Sequence, residues 1–304
     1  MPTLRTIISG LALLLFTGLA AAAQETSPPD VCSPTDAVLD YWRGVRSNVA
    51  AVDGNRLALP LAHCLDSPNA ELRDRIGYEV LTYWLRKGEL TPETRKALRQ
   101  SLQPWLARGD GAPGSDAIAR AFAALILSEL VRADRLDPRW TPEELADLVN
   151  AAAEMVRQER DYRGLDAEIG WIHTVAHGSD LLWQLAQHPG TSADQHRAML
   201  MALASQFQRE DTPPFVFNES DRTARVVVAV IQRGELATGE VTAWIGAMGD
   251  PGSLEQWNRA FGSISGMARL HNTKQFLRAL QEALPPEAPD GVRQKIEDAL
   301  VSLP

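Results

Sequence analysis

His173, His177 and Asp180 stand at spacings of four and three residues, with Gln184 four further on. On an α-helix each residue advances about 100°, so these side chains share one narrow stripe. Two imidazoles and a carboxylate on one stripe suit three kinds of chemistry. Histidines one turn apart can hold a metal ion from a single helix, with Asp180 as third ligand or orienting partner. A histidine oriented by a carboxylate can move protons near neutral pH. The same groups can also bind a ligand, or hydrogen-bond neighbouring helix ends.

The residues around the stripe limit each reading. A zinc-protease helix carries glutamate directly after its first histidine; here Thr174 follows His173. No second histidine or cysteine cluster supplies an evident further ligand. His63, His271, Glu79 and Glu219 are the candidates, and metal and cofactor stay open. Ser179 adjoins Asp180, but neighbouring helical residues point about 100° apart, so no Ser-His-Asp triad forms locally. A Gly-x-Ser-x-Gly elbow and a Gly-x-x-x-x-Gly-Lys-Ser/Thr phosphate loop are both absent. The plainest reading is structural. Arg163 and Asp166 close a polar network, Trp171 packs, and Arg73 with Asp74 forms a solvated helix face. Glu219, Asp221 and Arg222 then make a charge cluster at a helix N-terminus.

The stripe needs an inner helix to hold it. Ile169, Ile172, Val175, Ala176, Leu182 and Trp183 fill one neighbouring face, and Leu181 and Leu185 lie on the other flank. The pattern predicts one helix through Gly170–Gln184, apolar on both sides of the polar stripe. Elsewhere the punctuation is also helical. Ser67-Pro68, Thr91-Pro92, Thr141-Pro142 and Asp250-Pro251 place a capping residue before proline. Thr141 with Glu144, and Ser192 with Gln195, read as capping boxes. Gly88, Gly109 and Gly164 mark helix ends. Leu72, Ile76, Val80 and Trp84 recur at helical spacing, and Val226–Ile231 reads as helix despite its β-branched composition. About a dozen helices with short connections predict an all-α fold. The expected architecture is a stack of antiparallel helix pairs, a degenerate HEAT-like α-solenoid with a concave face; a closed helical bundle is the alternative.

The 304-residue chain carries a formal net charge of −9 and has no Lys/Arg block, which argues against nucleic acid and acidic membrane surfaces as partners. Arg5, the apolar run Ile7–Leu19 and Ala21-Ala22-Ala23 read as a signal peptide cleaved after Ala23, which leaves residues 24–304 as a single helical domain. No later run is long enough to span a membrane. Periplasmic or secreted destination follows, and with it a disulfide between the two cysteines, Cys32 and Cys64.

Several runs carry a resemblance. They are Glu71-Leu72-Arg73-Asp74 with Tyr78-Glu79 and Trp84, Arg120-Ala121-Phe122 with Leu125, and Arg163-Gly164 followed by Gly170-Trp171-Ile172-His173 and Ala176-His177 with Asp180. Asn272 followed by Phe276-Leu277-Arg278-Ala279-Leu280 belongs with them. Together they resemble the bacterial domain of unknown function 2785, over roughly Cys64 to Leu284, with Trp-x-His-x-x-x-His-x-x-Asp as the most specific part. The resemblance implies a helical, repeat-like fold and no established activity. Where the family pattern has an acidic run, this chain reads Asn218-Glu219-Ser220-Asp221-Arg222. Two functions remain in view. One is a binding or scaffold protein that takes a protein, peptide or small molecule in a polar groove at His173, His177, Asp180, Trp171, Arg163 and Glu219. The other is a hydrolase-like enzyme using the same residues.

Overall fold

The computed structural model describes residues 31–304. The expected signal segment therefore lies outside the described residues. Twelve α-helices are present among them: α1 (Asp36–Ser47), α2 (Gly54–Ala62), α3 (Glu79–Lys87), α4 (Pro92–Leu102), α5 (Ser115–Leu136), α6 (Pro142–Gln158), α7 (Thr174–Ala186), α8 (Ala193–Gln208), α9 (Glu219–Arg233), α10 (Thr238–Met248), α11 (Ile264–Ala283) and α12 (Asp290–Val301). The only strands among the described residues are two-residue pieces, β1 (Leu165–Asp166) and β2 (Gly170–Trp171), paired antiparallel with Leu165 opposite Trp171.

The helices stack in two layers, as the short connections require. In one layer α5, α7, α9 and α11 lie side by side; in the other α6, α8, α10 and α12 do. Each layer runs parallel within itself. Phe122 meets His177 and Asp134 meets His188 between α5 and α7. Arg197 reaches Glu240, and the Trp244 indole donates to the Leu200 carbonyl, between α8 and α10. This is the all-α stack of helix pairs that the spacing predicts. Its core is continuous, from Trp42 and Trp84 through Phe122 and Leu182 to Phe276.

The caps explain most boundaries. Thr91, Thr141 and Ser192 each accept an N–H from the first turn of α4, α6 and α8, and the last two complete capping boxes with Glu144 and Gln195. Gly88 ends α3 in the left-handed conformation. Val226–Ile231 is helical, inside α9.

Other expectations fail for physical reasons. Ser67-Pro68 caps no helix: Ser67 follows a short 3-10 turn, its hydroxyl accepts the Asn69 N–H, and the helix starts two residues on, where Asn69 accepts the Leu72 N–H. Asp250-Pro251 leads only into a three-residue 3-10 turn. Gly109 follows the cap of the 3-10 helix that ends at Ala107, in the left-handed region, but Gly164 ends no helix; α6 stops at Gln158, where Glu159 turns extended. Glu71–Tyr78 is π-helical before it continues as α3. The widened i→i+5 turn brings Leu72 and Arg73 to the interior together. Arg73 is fully buried, so the expected solvated face at Arg73-Asp74 does not exist.

The cysteines form the disulfide Cys32–Cys64, which ties the segment before α1 to the turn after α2. Among the described residues no helix is long and apolar enough to cross a membrane.

Candidate functional site

The helix expected from Gly170 begins later. Gly170-Trp171 pairs as β2, Ile172 crosses over, and His173 caps α7 from the left-handed region at φ 55°. Asn218 caps α9 in the same unusual conformation at φ 66°. Non-glycine residues rarely adopt it, and it concentrates where a structure over-determines the backbone. Two such residues therefore sit at the starts of two adjacent, parallel helices.

Buried arginines hold the approach to this point. Arg73 donates to the Ile169 and Trp171 carbonyls at 2.7 and 3.2 Å, and to the Ser67 carbonyl at 3.1 Å. Its guanidinium lies over the Phe122 ring and pairs with Asp74. Arg120 makes a two-pronged pair with Glu159, both at 2.9 Å, with all of these groups buried. Glu159 accepts the Asp161 N–H, and Asp161 holds the Arg163 guanidinium. The Arg163 and Gly164 carbonyls then accept the His173 and Ile172 N–H groups. Burial raises the Glu159 pKa while Arg120 opposes it. A chain of ion pairs thus runs from α5 to the residue that starts α7.

Two glycines are required along this path. Gly170 has φ +79°, beside Ala70 and Arg73. A Cβ at Gly164 would lie 2.0 Å from the Phe217 ring. That ring packs edge-on against both Trp171 and His173.

The stripe survives in altered form. His173 and His177 meet with ring centroids 5.5 Å apart, one from the cap and one from the helix. His177 also packs edge-on against Phe122 of α5. Asp180 does not orient either imidazole; it forms a close ion pair with Arg222 of α9. Glu219 is buried, accepts the Phe217 N–H, and lies 3.8 Å from His173 Nε2. Gln184 is buried with its side-chain oxygen lacking a partner in the protein. Arg163 turns away to Asp161 and the Gly114 carbonyl, so it supports the site without joining it. Ser179 donates to the Val175 carbonyl and is buried, which removes it as a nucleophile.

Burial dominates the electrostatics. It lowers the His177 pKa well below the ordinary range, and His173, Arg222 and Arg73 add to the effect. Burial lowers His173 as well, against the Phe217 carbonyl. It raises Asp180 despite Arg222, and raises Glu219 despite the backbone N–H groups. Both imidazoles are therefore neutral at pH 7.

Four polar atoms at these helix starts have no hydrogen-bond partner within the protein. They are His173 Nε2, His177 Nδ1, Thr174 Oγ1 and Ser220 Oγ. Around them the surface is apolar. Trp171 is 43 % exposed, where packing was expected, with Leu165 and Val216 more exposed still. Six of the nine exposed large hydrophobic residues among those described lie just before, or in the first turn of, α7, α9 and α11. An open cleft of about 450 Å³ runs beside Asn218, Arg222 and Arg225, facing Ala279 and Glu282 of α11.

Metal binding has little support from this geometry. Among the described residues no three His, Cys, Asp or Glu side chains are grouped to hold an ion. His63 lies at Ser101, Glu79 at Arg46 and His271 at the Phe215 carbonyl. The residue that sequence reasoning missed is Arg73. Helical spacing puts it about 100° off the Leu72–Trp84 stripe, on what reads as a solvated face.

Fold and candidate site together make a two-layer helical stack with unpartnered polar groups where α7 and α9 begin. The chain belongs to the family described as protein of unknown function (DUF2785), whose model matches residues 109–281, more than half of its length. The Glu71–Trp84 run precedes the matched stretch. No curated protein and no solved structure matches the chain.

Proposed function

We propose that this chain is an exported binding protein that takes its ligand at the recess where α7 and α9 begin. His173, His177 and Glu219 form the polar floor, Trp171 the exposed wall, and Asp180 with Arg222 the flank. Arg163 positions the loop. One observation carries the reading: four buried or half-buried polar atoms go unpartnered within the protein beneath an exposed apolar rim. A core pairs most such groups, because leaving one unsatisfied costs about 1–3 kcal/mol, and four of the eleven unpartnered atoms among the described residues gather at these two adjacent helix starts. A bound protein segment, peptide or small molecule with apolar and polar parts would satisfy both. The Cys32–Cys64 bond supports an oxidising compartment, and with the N-terminal sequence it supports a cleaved signal and a periplasmic or secreted location.

Fragment binding tests the site without a known ligand. With methyl-labelled Leu and Val, fragments that bind should shift Leu165, Val175 and Val216 together, and His173→Asn should abolish those shifts. Fragments that perturb none of these methyls would overturn the reading.

A hydrolase-like reading is favoured by one feature, the 3.8 Å approach of His173 Nε2 to Glu219. A neutral imidazole beside a carboxyl whose pKa is raised has the form of an acid–base pair. Turnover lost in Glu219→Gln with fragment binding retained would select this reading.

A further inference from the structure

We propose a second ligand site, separate from the recess, that takes a free basic amino acid. It is an open cavity of about 450 Å³ between the ends of α8 and α10, the loop after α10 and the second turn of α11. That size lies within the range of small-molecule pockets.

Arg269 singles the cavity out. Four arginines among the described residues are buried. Three of them pair with carboxylates: Arg73 with Asp74, Arg99 with Glu144 and Arg120 with Glu159. Arg269 lines the cavity and pairs with none. Its one side-chain hydrogen bond among the described residues is to the Ser253 hydroxyl, at 3.2 Å. A guanidinium carries five N–H donors, so most of them remain to be taken. The loop after α10 is shaped to hold it there. Gly252 has φ +54°, and a Cβ on it would lie 2.5 Å from Arg269 Nη2. Asp250 accepts the Gly252 N–H at 2.7 Å, and the Trp257 indole donates to the Gly249 carbonyl at 2.9 Å.

The charges on the lining choose the ligand. Glu210 and Asp250 line the cavity with Arg269, and neither carboxylate is ion-paired among the described residues. Both face the guanidinium, where they oppose the lowering of its pKa by burial. Arg209 and Arg259, on the adjoining segments, are engaged elsewhere, with the Arg157 and Glu159 carbonyls and with Glu255. One cation therefore stands against two carboxylates, a surplus of one negative charge. The C-terminal ends of α8 and α10 add partial negative charge at the same place. A ligand with one carboxylate and two cationic groups matches this count. Its carboxylate takes the Arg269 fork, and its two cations take Glu210 and Asp250. Free lysine and free arginine have that composition. A basic residue at a peptide C-terminus shares the carboxylate and the side-chain cation but has lost its α-ammonium, so two free carboxylates favour the free amino acid.

Calorimetric titration of the full mature chain with L-lysine, L-norleucine, cadaverine and acetyl-Ala-Lys tests this. Lysine should bind with a dissociation constant of about 1 mM or tighter. Norleucine, which lacks the side-chain cation, and cadaverine, which lacks the carboxylate, should each bind at least about tenfold more weakly, as should the peptide. Lysine should also bind at least about tenfold more weakly to the double variant Glu210→Gln, Asp250→Asn, both at exposed positions. Arg46→Glu, far along the chain at an exposed pair with Glu79, should leave binding unchanged. Undiminished binding to the double variant, or no lysine binding at about 10 mM, would overturn the site. Cadaverine binding as tightly as lysine would overturn the role given to Arg269. Equally tight norleucine would overturn the choice of a basic side chain, and equally tight peptide the choice of a free amino acid.

Discussion

Arg73 shows how one side chain can organise a site it does not enter. It is fully buried, pairs with a partly exposed Asp74, and spends its other donors on carbonyls before α7. Removing it strands those carbonyls and the Asp74 charge together. Arg73→Leu should therefore destabilise the fold by about 3–5 kcal/mol, read by urea denaturation. A loss below about 1 kcal/mol would mean that the carbonyls find other donors. His177 makes a separate residue-scale prediction. Its folded pKa is depressed, so the unfolded chain takes up a proton as pH falls below about 6.5 while the folded chain does not. Stability from this group is complete above that pH and is lost as pH falls toward the folded pKa. The slope is about 1.4 kcal/mol per pH unit for each such group. Asp180 and Glu219 act oppositely: their raised pKa values favour the fold in acid and cost stability as pH rises from about 3.8 and 4.5. The difference between wild type and His177→Gln isolates the histidine. Melting at pH 7.5 and 5.5 should show a smaller acid loss in the variant, and equal losses would contradict the pKa direction.

At the scale of elements, capping residues were legible because their bonds are local. Thr141, Ser192, Thr91 and Gly88 act within a few residues of themselves. The start of α7 was not legible, because it is set from a distance. Arg73 lies on another element about a hundred residues away in sequence, and the Gly164–Phe217 contact joins two loops. Helical periodicity runs on through Gly170–His173, yet those residues are pulled into a hairpin by carbonyl bonds that no spacing reveals. The candidate set still held His173, His177, Asp180, Trp171 and Glu219, because four-residue spacing tolerates a capping residue one turn below a helical one. The partners of Asp180 and the burial of Arg73 were out of reach for the same reason that placed the helix start wrongly. Gly164→Ala tests the hairpin's anchoring. The new methyl would displace the Phe217 ring, which should cost about 1–3 kcal/mol. The Trp171 emission should also shift as its Phe217 contact opens; an unchanged melt and spectrum would show that the loops yield freely.

For the whole molecule, stacking puts the loops before α7, α9 and α11 along one edge, and most of the exposed apolar surface with them. The N-terminal helices are tied by the disulfide, whose cysteines are 32 residues apart. On the loop-entropy model, reduction should cost roughly 3–4 kcal/mol, and denaturation with and without reductant measures it. No change on reduction would mean that the first helices are held by packing alone.

The central claim is that the recess at α7 and α9 is kept for a ligand and not for the fold. Urea denaturation of wild type against His173→Asn addresses it most directly, because asparagine tolerates the left-handed backbone that His173 strains. If the imidazole is there for a ligand, the variant should match wild type within about 0.5 kcal/mol or exceed it. A loss of more than about 1.5 kcal/mol would show that His173 serves the fold, and would contradict the account.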